Sequence, residues 1–235
     1  MTMIADNLQR VRDRIDAACI QAGRRPEDVV LLAVSKTFGA DAVREAFAAG
    51  QKAFGENYIQ EGVDKIKALA GLGIEWHCIG PIQSNKTRLV AEYFDWVHSV
   101  DRLKIAQRLS EQRPAHLAPL QICIQVNVDG GTTKAGVSPA DALALAQSVT
   151  ALPRLRLRGI MTIPEPAVDF AAACAVHRKA KDVLDALNAQ GLGLDTLSMG
   201  MTADLEAAVH SGSTMVRVGT AVFGGRSYPD AVTSA

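Results

Sequence analysis

Two hydrophobic patterns recur along the chain and predict its secondary structure. Near the N-terminus, apolar residues repeat at spacings of three and four, which is typical of one face of an amphipathic helix. The members of this stripe are Ile4, Leu8, Val11, Ile15 and Ala18. Further along, short unbroken apolar runs, of which 29–34 is the first, predict strands that are buried on both faces. Glycine or proline commonly separates these segments, as Gly23 does after the first helix.

Predicted strands and helices alternate to the end of the chain. The strands are predicted at 29–34, 53–57, 74–80, 96–100, 120–128, 155–163, 194–198 and 214–219. Strict alternation with short connections predicts a parallel sheet. Eight units in about 200 residues favour a closed (β/α)8 barrel, with the first helix as an addition, over a doubly wound open sheet. No Gly-x-Gly-x-x-Gly follows the first strand, which disfavours a dinucleotide fold. One domain, 1–235, is expected.

Helix starts are predicted from capping residues. Asp101 is expected to cap the fifth predicted helix, and Thr202 the helix over 203–210. Ser138 precedes a proline and Asp141, a pattern typical of a helix start. A long helix is predicted over 169–190.

Composition excludes several classes of function. The formal net charge is zero, which gives no electrostatic reason to expect a nucleic acid or an anionic membrane as partner. The four cysteines form no Cys-x-x-Cys pair, so neither a disulfide framework nor a metal site is expected, and a reducing, cytoplasmic location is favoured. No segment approaches the roughly 20 apolar residues of a membrane helix, and the N-terminus does not resemble a signal peptide.

Lys36 stands at the carboxyl end of the first predicted strand, just before a helix. In α/β folds this rim is where ligands bind. A lysine there can contact a phosphate, pair with an acid, or act as an amine nucleophile towards a carbonyl. The strand alone leaves these three roles open.

The other strand ends converge on the same rim of a barrel. They are Glu56–Asn57, His77, Ser99, Asn127, Met161–Thr162, Ser198–Gly200, and Arg217 with Gly219 and Thr220. Loops after the seventh and eighth strands of a barrel commonly supply backbone N–H groups to a phosphate, and glycine permits close approach. The alternative is that these glycines are turns and that the hydroxyl groups are helix caps.

Arg217 lies within an otherwise apolar predicted strand. Because an unpaired buried charge is costly, it must point outward, pair with an acid such as Glu165, or donate to a ligand. A lysine, a phosphate loop and an inward arginine on one rim together describe a site for pyridoxal 5′-phosphate.

Longer motifs carry a family resemblance. They are AVSKT at 33–37, FGENYIQE at 54–61, WHCIGPIQSNK at 76–86, VNV at 126–128 with KAG at 134–136, RGIMTI at 158–163, LSMGMTAD at 197–204 and VRVGTAVFG at 216–224. In this order they resemble the pyridoxal phosphate homeostasis proteins, or PLP-binding proteins, of the alanine-racemase-like barrel class (fold type III). Cys78 and Thr202 depart from the commoner family residues without touching the chemistry.

The resemblance implies a set of site residues. Lys36 would carry the cofactor as a Schiff base, Asn57 would line the pocket, and Arg217 would meet the pyridine nitrogen. The phosphate would be held by Ser198, Met199, Gly200, Met201, Thr202, Gly219 and Thr220. His77 either lines the pocket or is structural. Lys134 is either a second, transient cofactor contact or a solvated lysine.

The resemblance implies a carrier and regulator of intracellular vitamin B6 rather than a strong catalyst. An arginine holds its proton to a pKa of about 12 or more, so the ring nitrogen stays unprotonated and the cofactor is a weak electron sink. The alternative, an amino-acid racemase of the alanine-racemase type, needs a second acid or base, and Tyr58, Tyr93 and Tyr228 have no evident claim to that role. A phospho-sugar-binding barrel is a third class. PLP-dependent apoenzymes are the implied recipients, and a monomer is expected.

Overall fold

The predicted barrel is confirmed by a computed structural model, which describes residues 2–131 and 134–225. Eight parallel strands pair in chain order, and the first also pairs with the last, so the sheet closes on itself. The strands are β1 Val30–Val34, β2 Ala53–Glu56, β3 Glu75–Cys78, β4 Trp96–Val100, β5 Leu120–Gln125, β6 Leu155–Met161, β7 Thr196–Ser198 and β8 Met215–Val218.

Helices follow the strands and surround the barrel. They are α1 Met3–Gln21, α2 Ala40–Ala48, α3 Ile59–Ala68, α4 Thr87–Tyr93, α5 Leu103–Gln112, α6 Ala142–Thr150, α7 Phe170–Ala189, α8 Leu205–His210 and α9 Thr220–Phe223. Helix α1 precedes the first strand as predicted, and its predicted stripe is buried. It packs against α2, α8 and α9.

Two of the predicted helix caps are wrong. Asp101 precedes the N-cap of α5, which is Arg102 and makes no capping bond through its side chain. Thr202 also lies ahead of its helix, because α8 begins at Leu205 after Asp204. Ser138 and Asp141 do bond to each other as the pattern predicts, but this turn precedes α6 rather than forming its first turn.

Side chains of each strand alternate between the helical layer and the barrel interior. On β1, Leu31 and Ala33 belong to the large core cluster that includes the helices, whereas Leu32 and Val34 pack in a separate small cluster. The interior also holds buried polar side chains, among them His98 and Arg217. Because all eight strands are parallel, their carboxyl ends share one mouth, which brings the ends of β1, β2, β7 and β8 together.

Candidate functional site

A cavity of about 400 Å³ opens at the carboxyl ends of the strands. It draws its lining from the segments that follow β1, β2, β3, β6, β7 and β8, and from β1 and β8 themselves. The lining residues are Val34, Lys36, Phe38, Asn57, Ile79, Ile163, Met201, Thr202, Ala203, Arg217, Gly219, Thr220 and Gly224. Seven of the residues predicted for the site are among them: Lys36, Asn57, Met201, Thr202, Arg217, Gly219 and Thr220.

The backbone on both sides of Lys36 is held by polar contacts, which are buried before the lysine and exposed after it. Lys36 itself is half-buried and follows Ser35, whose hydroxyl donates to Glu56 Oε1 at 2.5 Å. The carbonyl of Ser35 accepts from Lys65 Nζ at 2.7 Å. On the other side, the Thr37 N–H donates to Glu61 Oε1 at 2.7 Å. The end of β1 is therefore attached to β2 and to α3 immediately before and after the lysine.

These contacts belong to an ionic cluster of Glu56, Glu61 and Lys65, in which Glu56 and Lys65 are buried and Glu61 is partly exposed. Lys65 is 5% exposed, and its ammonium lies 2.8 Å from Glu56 Oε1 and 2.6 Å from Glu61 Oε1. Burial raises the pKa of the Glu56 carboxyl, and the nearby Lys65 ammonium opposes that rise. None of these three residues was predicted from the sequence to form such a cluster. The spacing of Glu61 and Lys65, four residues apart on a predicted helix, is the signal that points to it.

Thr37 adopts a backbone conformation that is rare for its type. Its φ is 70°, in the left-handed region, and threonine is branched at Cβ. Such a residue is strained and persists only where the surroundings fix it, which the bond from its N–H to Glu61 does. The sharp turn directly after Lys36 is thus maintained by the same cluster.

The loops after β7 and β8 form the part of the cavity suited to an anion. Gly219 and Thr220 lie where β8 ends and α9 begins, and the first N–H groups of a helix have no partner within it. A Cβ on Gly219 would lie 3.1 Å from the carbonyl oxygen of Val34, so a side chain there would crowd β1. Thr202 contributes to the cavity wall, whereas the Met201 N–H is already bonded to Asp204 Oδ1 at 2.6 Å.

Ser198, Met199 and Gly200 lie beneath the cavity rather than on its surface. All three are buried, and none of them lines it. Met199 packs in the main core cluster. Gly200 has a φ of 92°, and a Cβ there would lie 2.4 Å from that of Ala208. Its carbonyl accepts from the backbone N–H of Arg217 at 2.9 Å, so this segment supports the cavity floor.

Arg217 is a buried cation bonded to neutral groups at the cavity wall. Its Nη1 donates to Ser198 Oγ at 2.9 Å, and its Nη2 donates to the Thr162 carbonyl at 2.8 Å. Burial lowers the pKa of Arg217 to about 10, which still leaves it protonated at neutral pH. Glu165, the acid considered as its partner, instead lies 3.1 Å from Lys134. Arg217 therefore neither points outward nor pairs with Glu165, and its donation to a ligand stays a prediction.

Two buried polar atoms near the cavity have no hydrogen-bond partner among the described residues. They are Asn57 Oδ1 and Thr162 Oγ1. Asn57 lines the cavity, and Thr162 is the residue whose carbonyl holds Arg217. Buried polar atoms are nearly always bonded, so an unpartnered one at a cavity points to a ligand contact.

His77 and Lys134 do not line the cavity. His77 is buried in the barrel interior, bonded to Glu75 and His98. Lys134 pairs with Asp129 and Glu165 and donates to the carbonyl of Ile163. Its neighbours Thr132 and Thr133 lie outside the described residues.

Tyr58 and Tyr93, two of the tyrosines considered as a second acid or base, do not line the cavity either. Tyr58 is exposed, and the ring of Tyr93 faces Lys67 on the outside of the barrel. Tyr228 lies outside the described residues. Within residues 2–131 and 134–225, no group of three or more histidine, cysteine or acidic side chains could hold a metal ion. In the same residues, no helix has the length and hydropathy needed to cross a membrane.

Comparisons with known proteins agree with this geometry. The family model described as alanine racemase, N-terminal domain, matches residues 4–227. The pyridoxal phosphate homeostasis protein of Pseudomonas aeruginosa is 60% identical over 228 residues, covering 97% of this chain and 98% of the relative. The Escherichia coli protein of the same name is 53% identical over 231 residues, covering 97% and 99%.

Solved structures of other proteins share the fold of this chain. PipY of Synechococcus elongatus, solved with PLP bound, is 37% identical, with 94% of this chain and 100% of that chain covered and a TM-score of 0.81. An alanine racemase of Clostridium difficile is 17% identical, with 97% of this chain and 59% of that chain covered and a TM-score of 0.74. At that identity the racemase shares the barrel fold and supports nothing more specific.

Proposed function

This chain belongs to the pyridoxal phosphate homeostasis proteins, within the alanine racemase N-terminal domain family, and on that premise we propose that it binds pyridoxal 5′-phosphate through Lys36. Its role is then to carry the cofactor and regulate its supply in the cell. PipY, a relative of known structure, was solved with PLP bound.

One observation carries the proposal: a single cavity joins a lysine, two glycine- and threonine-containing loops and a buried guanidinium. Its volume of about 400 Å³ lies within the range of small-molecule pockets. The cofactor has an aldehyde, a phosphate and a pyridine nitrogen, which match these three features in kind. The unpartnered amide oxygen of Asn57 offers a further acceptor to the same ligand.

Each residue then has a distinct task. Lys36 supplies the amine that reacts with the aldehyde. Thr202, Gly219 and Thr220 bind the phosphate through hydroxyl and backbone N–H groups, while Ser198, Met199 and Gly200 support that loop from below. Met201 covers the entrance with its partly exposed side chain.

Arg217 favours a carrier over a carbanion-forming catalyst. The bound cofactor supplies an aromatic ring able to withdraw electrons, most strongly when its nitrogen is protonated. Arg217 keeps its own proton at neutral pH and donates a hydrogen bond, so it does not protonate that nitrogen. Among the described residues that line the cavity, the ionisable ones are Lys36 and Arg217, so a racemase would lack its second acid or base. PLP-dependent apoenzymes as recipients, a cytoplasmic location and a monomeric state complete the proposal.

Borohydride reduction followed by peptide mapping tests the cofactor site. After saturation with pyridoxal 5′-phosphate, the wild-type protein should carry one reduced adduct, on Lys36. Lys36→Ala should lose it, and the matched control Lys104→Ala, an exposed lysine on α5, should keep it. An unmodified wild-type protein, or an adduct of the same yield elsewhere in Lys36→Ala, would contradict the proposal.

Exchange of the Cα proton of alanine in deuterated water separates the carrier from the racemase. The loaded wild-type protein should exchange no more than Lys36→Ala. Exchange that depends on Lys36 would favour the racemase.

A further inference from the structure

Four consecutive hydrogen bonds cross the interior of the barrel and end at Arg217. Glu75 Oε1 lies 2.8 Å from His77 Nε2, and His77 Nδ1 lies 2.9 Å from His98 Nε2. His98 Nδ1 lies 2.9 Å from Ser198 Oγ, which accepts from Arg217 Nη1 at 2.9 Å. The two histidines and the serine are fully buried, while the Glu75 side chain is 48% exposed. Glu75 is the first residue of β3, so the bonds connect the amino-terminal mouth of the barrel with the cavity at the other mouth.

The two ends of this series fix the direction of every bond in it. A guanidinium only donates, and an ionised carboxylate only accepts. The bond from His77 lowers the pKa of Glu75, which keeps the carboxylate ionised at neutral pH. If both histidines are neutral, one proton arrangement satisfies all four bonds. Arg217 donates to Ser198, the Ser198 hydroxyl donates to His98 Nδ1, and the Nε2–H of each histidine donates onward to His77 and then to Glu75.

The surroundings keep both histidines neutral. Burial lowers the pKa of His77, against the raising effects of Glu75 and Asp95. Burial lowers the pKa of His98 well below its usual range, and His77 and Arg217 lower it further. Trp96 stacks on the His77 ring with centroids 5.2 Å apart and adds no charge. A second cation at His98 would therefore be buried one serine away from Arg217.

We propose that Glu75, His77, His98 and Ser198 are positioning residues that orient Arg217 and transmit the ionisation state of Glu75 to the cofactor pocket. With Glu75 ionised, the Ser198 hydroxyl proton points to His98, and its lone pairs face Arg217. With an uncharged group at 75 that can also donate, the series can reverse. His98 Nδ1–H then donates to Ser198 Oγ beside Arg217, and the hydroxyl, which no longer donates to His98, becomes a weaker acceptor for Arg217. The effect on the cofactor rests on the proposed function, whereas the direction of the bonds does not.

A structural role for the two histidines makes a different prediction. If they only satisfy each other in the core, a change at Glu75 affects its neighbour His77 and stops there. If Glu75 and Arg217 fix the direction of all four hydrogen bonds, a change at Glu75 also alters the tautomer of His98, which does not bond to Glu75. The tautomer of His98 is therefore the decisive observable.

The tautomers can be read by ¹⁵N–¹H correlation of protein labelled at histidine, without any cofactor. In the wild type, both histidines should be in the Nε2–H form. Glu75→Gln keeps the shape but can accept or donate, so both histidines should become mixtures of tautomers. Glu111→Gln, an exposed glutamate on α5, is the matched control and should change neither. An Nδ1–H form at either histidine in the wild type, or a response to Glu75→Gln confined to His77, would overturn the proposal.

The effect at Arg217, where the series reaches the cofactor pocket, is measured as the hydrogen-exchange rate of the Arg217 guanidinium protons in arginine-labelled protein. Glu75→Gln should speed exchange at Arg217 by about tenfold, the factor for one hydrogen bond, and Ser198→Ala should do at least as much. Unchanged exchange in Glu75→Gln would show that nothing is transmitted. If the wild type forms no cofactor adduct, these measurements still test whether the hydrogen bonds are directed from Glu75 to Arg217. If the adduct forms but the histidine tautomers do not respond to Glu75→Gln, the proposal about these hydrogen bonds is refuted and the proposed function is not.

Discussion

At the scale of the residue, Lys65 explains how the reactive end of β1 is held. Its ammonium has three N–H groups, and they go to the Ser35 carbonyl, Glu56 and Glu61. The three acceptors belong to the end of β1, to β2 and to α3. A single cation therefore joins the three segments that determine where the Lys36 backbone lies. The desolvation of the buried Lys65 and Glu56 charges is costly, which argues for a role in positioning rather than in net stability.

Lys65→Met tests this role of the ammonium. The change leaves Glu56 buried without its cation, so we expect a loss of about 3–5 kcal/mol in the free energy of unfolding, measured in urea. Without the cation, burial raises the pKa of Glu56 further above its unfolded value. Between the unfolded pKa of about 4.3 and the raised native pKa of Glu56, the native state binds more protons than the unfolded state, so stability falls as pH rises through this interval and recovers as pH is lowered.

Two variants separate the loss of the Lys65 ammonium from the general effect of replacing a lysine by methionine. Lys67→Met removes an exposed lysine from the same helix and should cost less than about 1 kcal/mol. Adding Glu56→Gln to Lys65→Met removes the orphaned charge and should recover part of the loss. A deficit in Lys65→Met that does not vary with pH would contradict the assignment to Glu56.

At the scale of the element, the barrel depends on a close approach between β6 and β7. Gly159 pairs with Thr196, and a Cβ at Gly159 would lie 1.7 Å from the Thr196 carbonyl oxygen. Because that atom belongs to the backbone, no side-chain rearrangement can relieve the contact. The sequence places Gly159 inside a predicted strand, where glycine usually weakens pairing, and such a position signals close backbone approach.

Gly159→Ala should therefore destabilise the protein severely. Relief requires β6 and β7 to separate, and we expect a loss of at least about 3 kcal/mol or failure to fold. Gly39→Ala is the matched control, because nothing lies within 4 Å of a Cβ there and its φ is −73°. It should change stability by less than about 1 kcal/mol in the same thermal unfolding experiment. Equal effects of the two substitutions would argue against this packing of β6 on β7.

Helix starts were harder to predict than strands, and the reason lies in the loops. The rule that threonine caps a helix uses only local bonds, and Thr202 satisfies it in the sequence. In the structure, residues 201–204 form a turn closed by Asp204, whose carboxylate accepts from the Met201 N–H. Thr202 faces the cavity instead. Loops at this mouth carry binding groups, so tertiary contacts there override local capping preferences.

At the scale of the whole molecule, the alternation of strands and helices along the sequence predicted the barrel. A barrel of parallel strands places all strand ends at one mouth. That reasoning led to Lys36, Asn57 and Arg217, because each stands at or near a strand end. It could not lead to the bond between His98 and Ser198, since these residues are 100 positions apart and meet only across the interior. Which inward side chains face each other depends on strand tilt and register, and no periodic pattern in one strand records that.

Closure of the barrel predicts how its four cysteines react. All four are free and buried; Cys78 and Cys123 lie on β3 and β5, and Cys19 and Cys174 lie on helices α1 and α7. Burial raises the thiol pKa of both strand cysteines to about 12, so little of the reactive thiolate is present at neutral pH.

Cys123 packs with Trp96 and Met161 inside the closed sheet, so its thiol cannot be exposed without breaking bonds between strands, whereas Cys78 belongs to the core cluster shared with the helices. Timed alkylation followed by peptide mass spectrometry should therefore modify Cys123 at the rate of global unfolding. Cys78 and the helical cysteines can react sooner by local opening, and in denaturing urea all four should react at once. Alkylation of Cys123 faster than global unfolding would mean that the barrel opens at β5 before it unfolds.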